Sequence, residues 1–132
     1  MKAIKYLLLI CLLVMLVGCS NKNMEDYPQL IDKKHIYEVI DADRLIELIE
    51  NKETALIVLG FKECPWCQAL VPYVNEVSKE MGLKKVYYVD IKDMRDNTES
   101  IDHPKYLKIK EYFKDAVDTS KDRINAPTTI AL

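Results

Sequence analysis

The chain lacks an apolar run of the roughly 20 residues that a membrane-spanning helix needs; its nearest approach, residues 6–17, stops short. It lacks any excess of positive charge, with 19 Lys and Arg against 21 Asp and Glu, so nucleic acid is not an expected partner. Histidine is scarce. His35 and His103 stand far apart, each without a second ligand beside it, whereas a structural zinc site wants four ligands. Internal repeats and low-complexity tracts are absent. Cysteine is sparse as well, four in 132 residues, and the positions of those four decide which chemistry is open to them.

Two of the four stand near the N-terminus. The opening "MKAIKYLLLICLLVMLVGCS" has Lys2 and Lys5, then an apolar core, then Gly18 and Cys19, the layout of a secretory signal. Its end, "LVGC", resembles the bacterial lipoprotein signal, in which the cysteine is thioether-linked to diacylglycerol and becomes the first residue of the mature chain. That resemblance implies a signal peptide at 1–18, lipid on Cys19 and an extracytoplasmic domain held to the cell membrane. The alternative is an uncleaved anchor helix. Removal of Lys2 and Lys5 takes the formal charge from −2 to −4. The stretch "SNKNMEDYPQLIDKKH" is polar, contains Pro28 and shows no sustained period, so residues 19–35 read as the lipidated cysteine and a tether. Residues 36–132 then form one small domain. Cys11 lies inside the signal, so only Cys64 and Cys67 remain to the domain, with no third thiol for a structural bridge.

Periodicity predicts alternating strands and helices. "IYEVI" reads as a short strand, after which Asp41 can cap a helix over "ADRLIELIENK" with Leu45, Leu48 and Ile49 on one face. "ALIVLGF" is continuously apolar and rich in β-branched residues, as expected of a central strand covered on both faces. "QALVPYVNEVSKEMG" places Leu70, Val74, Val77 and Met81 at helical spacing, with Pro72 as a kink and Gly82 as terminator. "KKVYYVDI" is a third strand, "HPKYLKIKEYFKDA" a further helix with Tyr106, Ile109 and Phe113 inward, and "INAPTTIAL" an X-Pro step into a last strand. The order implies an α/β fold with parallel strands and helices on both faces.

Cys64 and Cys67 fall where the central strand turns into a helix. Residues one and four of a first helical turn lie on the same side, so the pair can close a small disulfide with little backbone movement. Unpaired N–H groups and a partial positive charge at the helix N-terminus favour the thiolate of the first cysteine. Cys64 is therefore the attacking thiol, and Cys67, one turn further in, resolves the mixed disulfide. Pro65 loses no intrahelical bond at the helix start, and Trp66 offers a flat apolar surface to a substrate chain. Half of a zinc site and an inert structural disulfide are the competing uses of such a pair.

"ALIVLGFKECPWCQALVPYVNEV" resembles the thioredoxin-like superfamily, whose CxxC lies on a turn from a central strand into a long helix. That helix carries a kinking proline eight positions after the first cysteine, and Pro72 stands eight after Cys64. The family also has a cis-proline loop before a strand, matched by Ala126, Pro127 and Thr128 in "NAPTTIAL". Over residues 36–132 the resemblance implies a three-layer sandwich around a central mixed sheet. It further implies that Pro127 is cis and packs against the cysteines, and that Ala126 offers its backbone to an extended substrate.

The chain departs from that family in several places. Thioredoxin has a buried aspartate six residues before the first cysteine, where this chain has Val58, so Lys62, Glu63 or water would have to serve as base. The dipeptide Pro65-Trp66 replaces Gly-Pro. Between Asp90 and Pro127 lie 36 residues, more than thioredoxin uses, and the charges at 92–122 are expected to form a solvated face, with a substrate-contacting flap as the alternative. The family continues past the proline strand with another strand and a helix, whereas this sequence stops at Leu132, so a C-terminally incomplete and marginally stable domain is expected. Function expected from all this is a membrane-anchored thiol–disulfide oxidoreductase needing no cofactor and no metal. Its partners are protein thiols or disulfides of the cell envelope and a membrane redox partner, with a lean to reduction because anchored relatives are often reductases. Alternatives are a peptide-binding lipoprotein of the same fold without turnover, and a metal-binding lipoprotein using Cys64, Cys67 and a histidine.

Overall fold

A run of branched apolar residues settles in the middle of a sheet because only there can both of its faces be buried. In the computed structural model, which describes Met24 and residues 27–132, "LIVLG" takes that place. The expected signal at 1–18 and the lipidated Cys19 lie outside the described residues. The chain order is β1 (Tyr37–Val39), α1 (Ala42–Glu50), β2 (Leu56–Gly60), α2 (Pro65–Glu80), β3 (Val86–Asp90), α3 (Lys92–Asp96), α4 (His103–Tyr112), a 3-10 turn (Lys114–Ala116), β4 (Val117–Asp118), β5 (Arg123–Ile124) and β6 (Thr128–Ala131). Four strands form a mixed sheet in the order β1-β3-β2-β6. β1 and β2 both run parallel to β3, while β6 runs antiparallel to β2 with Val58 opposite Thr129. The fold is thus mixed α/β, and no helix among the described residues is long and apolar enough to cross a membrane.

Strand alternation divides the sheet's side chains between two cores. Val58, Val86 and Tyr88 face Cys67 and Val71 of α2, whereas Ile57, Leu59 and Val89 face Leu45 of α1, Met94 of α3 and Tyr106 and Ile109 of α4. Helices accordingly lie on both faces, as the order of elements predicts. Asp41 caps α1 by accepting the Arg44 N–H at 2.9 Å. Gly82, at φ +81°, ends the turn after α2, and Leu83 N–H closes on the Ser78 carbonyl at 2.9 Å.

Two expectations need correction. The buried stripe of α2 is Cys67, Val71, Asn75 and Ser78 rather than Leu70, Val74, Val77 and Met81. Asn75 can be buried because its side chain accepts from Ile36 N–H and donates to Asp32, both at 3.0 Å. Of the expected stripe, Val74, Val77 and Met81 instead border an apolar groove of about 520 Å³ that they share with Leu56, Ala131 and Leu132. Next, the stretch read as tether does not stay free of the fold, since Met24, Tyr27 and Leu30 are buried against the α2 core. The three anchors recur every third residue, but a run of three is too short to stand out as a sustained period. The segment at 92–122 keeps its charges, Arg95 apart, toward solvent as expected, and it carries the expected helix, α4, which buries Tyr106 and Ile109, while α3 buries Met94.

Candidate functional site

The turn after β2 places the two cysteines first of all by backbone hydrogen bonding. Cys64 N–H donates to the Phe61 carbonyl at 3.2 Å, which leaves Cys64 in extended conformation as the N-cap of α2, with Pro65 as the first helical residue. In that position the Cys64 thiol does what a capping oxygen usually does: its Sγ accepts the Cys67 N–H at 3.3 Å. Cys64 is 6% exposed and Cys67 fully buried, and both are free thiols.

The Ala126–Pro127 peptide bond is cis, the isomer the family resemblance implies. The Cys64 thiol lies 3.5 Å from the Ala126 carbonyl, so the loop before β6 and the N-terminus of α2 meet at this sulfur. Beside it, Trp66 and Tyr73 are 76% and 64% exposed, and with Ala69, Leu70 and Pro127 they line a shallow apolar cleft of about 400 Å³. The structure thus brings together Cys64, Cys67, Trp66, Ala126 and Pro127, the residues singled out by sequence. No group of three or more His, Cys, Asp or Glu able to hold a metal occurs among the described residues. His103 is engaged elsewhere, its Nδ1 lying 2.7 Å from the Met94 carbonyl.

Behind Cys67 the surroundings are apolar and phenolic. Burial pushes its thiol up to about 12, helped by the hydrogen bond with Cys64, while the Phe61 backbone and the positive charge of Arg95 pull the other way. The missing side chain of Gly60 leaves room here: a Cβ at that position would lie 3.1 Å from Cys67 Sγ and 3.5 Å from the Tyr88 hydroxyl. Tyr88 is hydrogen-bonded to Tyr27, and burial raises both phenols so that they stay protonated. Asp90 is on this face too, and desolvation raises its carboxyl. Glu63, which sequence offered as a possible base, is paired with Lys92 at 3.0 Å.

Sequence reasoning overlooked Arg95, Tyr27 and Tyr88. Tyr88 was within reach of strand alternation, which sets it on the same face as Val86. Arg95 and Tyr27 gave no signal, because each owes its place to contacts with residues distant in the chain. No protein-family model matches the chain, and no curated protein matches it at a significant level.

Proposed function

We propose that the chain is a thiol–disulfide oxidoreductase of the thioredoxin-like superfamily, working outside the cytoplasm from a lipid anchor at Cys19. The observation that carries this reading is the Cys64 thiol itself. It caps a long helix, accepts the Cys67 N–H and touches the carbonyl before a cis proline, with the second thiol buried one turn behind it. An inert disulfide would have no use for a thiol at a helix N-terminus beside an exposed tryptophan.

In the reducing direction, the Cys64 thiolate attacks one sulfur of a substrate disulfide. A Cys64–substrate disulfide forms, the substrate S–S bond breaks, and the departing thiolate takes a proton from solvent. Cys67 then gives up its proton and attacks Cys64 Sγ. The internal disulfide forms, the second substrate thiolate leaves, and two electrons have passed from the pair to the substrate. The oxidising direction is the same sequence reversed. Trp66, Tyr73 and Pro127 would hold the substrate chain against the Ala126 backbone.

Trapping tests the reading. Cys67→Ser is expected to accumulate mixed disulfides with envelope proteins, and Cys64→Ser to accumulate none and to lose insulin-reduction activity. Turnover unchanged in Cys64→Ser would refute the enzyme. Peptide binding without turnover in the wild type would favour the docking-module alternative, and a stoichiometric metal in protein purified without chelator would favour the metal-binding one.

A further inference from the structure

Arg95 is the one cation that the charged segment sends inward. Its side chain is only 6% exposed, although it lies in a helix whose other members are mostly at the surface. Three contacts hold it. The guanidinium lies over the Phe61 ring, 5.0 Å from the centroid. It forms a bidentate pair with Asp96 at 2.7 and 2.8 Å, and it reaches the Ile124 carbonyl at 3.4 Å. Phe61 supplies the carbonyl that binds Cys64 N–H, and Ile124 stands two residues before Ala126. Arg95 thus bridges the two loops that meet at the Cys64 sulfur. Its countercharge is turned outward, since the Asp96 side chain is 42% exposed. The ion pair is therefore a dipole with its positive end inside and its negative end hydrated and screened.

We infer that Arg95 is a positioning residue that tunes the redox poise of the Cys64–Cys67 pair, holding the Phe61 turn to the Ile124 loop and favouring the dithiol form through its buried charge. The inference rests on reading the pair as redox-active. A fixed cation near the sulfurs stabilises thiolate, thiolate belongs to the reduced state, and stabilising the reduced state makes the disulfide the stronger oxidant. Both thiols fall within the field of Arg95, which acts against the upward push of burial at Cys67. Other charges also surround this turn: Lys92 and Glu63 are paired with each other, Lys62 adjoins Phe61, Asp90 lies on the face behind Cys67, and Arg123 sits 3.9 Å from Asp96. The segment at 92–122 would then contribute to the chemistry from behind the site rather than as a flap over it.

The test is the redox equilibrium of the full-length chain with glutathione in mild detergent, followed by alkylation and mass measurement. Arg95→Gln is expected to shift the equilibrium constant about tenfold toward a more reducing pair, about 30 mV. Asp96→Asn, which unmasks the cation, is expected to shift it the opposite way, and Arg95→Lys to stay closer to wild type than Arg95→Gln. Loosened packing alone gives no such opposition of sign. A shift below twofold in Arg95→Gln, or shifts of the same sign in Arg95→Gln and Asp96→Asn, would overturn the inference while leaving the oxidoreductase intact. A wild-type pair that never equilibrates with glutathione would sink both. Should Arg95→Gln fail to fold, the signs found for Asp96→Asn and Arg95→Lys still decide.

Discussion

Replacing Gly60 with alanine probes the tightest point behind the site. The backbone there is not in the left-handed region, so the change removes only the gap, with no conformational penalty. Two effects favour the variant. Fewer unfolded conformations contribute about 0.4 to 1 kcal/mol, and one buried methyl contributes about 0.8 kcal/mol where it fits. Fit is what the site denies. The new Cβ would lie 3.1 Å from Cys67 Sγ, well inside the 3.5 to 4.0 Å optimum for apolar contact, with Tyr88 at 3.5 Å on its other side. Cys67, Val58 and Val71 are all fully buried, which leaves the sulfur nowhere to retreat. Overpacking of this kind costs up to about 3 kcal/mol, so the net result is a loss of about 1 to 2 kcal/mol. In a domain of this size that lowers Tm by roughly 5 to 10 °C. Differential scanning calorimetry of the reduced protein measures it, and a second background identifies the cause. With Cys67→Ala the clash partner is gone, and Gly60→Ala should become neutral or stabilising. A Tm unchanged or raised by Gly60→Ala with Cys67 in place would refute the packing described for this face.

Two further predictions concern the same layer. Tyr27→Phe and Tyr88→Phe each leave a buried hydroxyl without its partner, so each single change should cost about 1 to 3 kcal/mol. The double change should cost clearly less than the sum; additivity in urea unfolding would mean the hydroxyls do not interact. The Cys67 thiol supplies a pH dependence, because it stays protonated to about 12 in the folded protein and ionises near 9 once unfolded. Its contribution to stability is complete below about pH 9 and is lost progressively as pH rises toward about 12. The disulfide form has no such proton to lose. Urea midpoints of the reduced protein should therefore fall faster than those of the oxidised protein between about pH 9 and about pH 11, and parallel lines would contradict the burial of Cys67.

Local rules carried the sequence a long way toward the scaffold and the placement of the two thiols. Val, Ile and Leu in "ALIVLG" can be satisfied only by a strand covered on both sides, Asp41 can cap the helix after it, and Gly82 can take the left-handed turn that ends α2. The same locality made Cys64 and Cys67 legible, since two thiols three apart at a helix start are neighbours whatever surrounds them. What sequence could not supply was the outcome of competition between distant segments. It could not say that α2 would turn Cys67, Val71 and Asn75 toward the sheet instead of its more apolar stripe. The choice depends on Ile36 N–H and Asp32 arriving to satisfy Asn75, and on the groove beside β6 receiving the rest. Nor could it say that Tyr27 would reach back to Tyr88, or that Arg95, one of many charges in its segment, would lie over Phe61 in the turn before Cys64. Burying a phenol or a guanidinium is unfavourable until its partners are in place. Those partners come from elements tens of residues away, so only the closed tertiary structure decides which polar groups go inside.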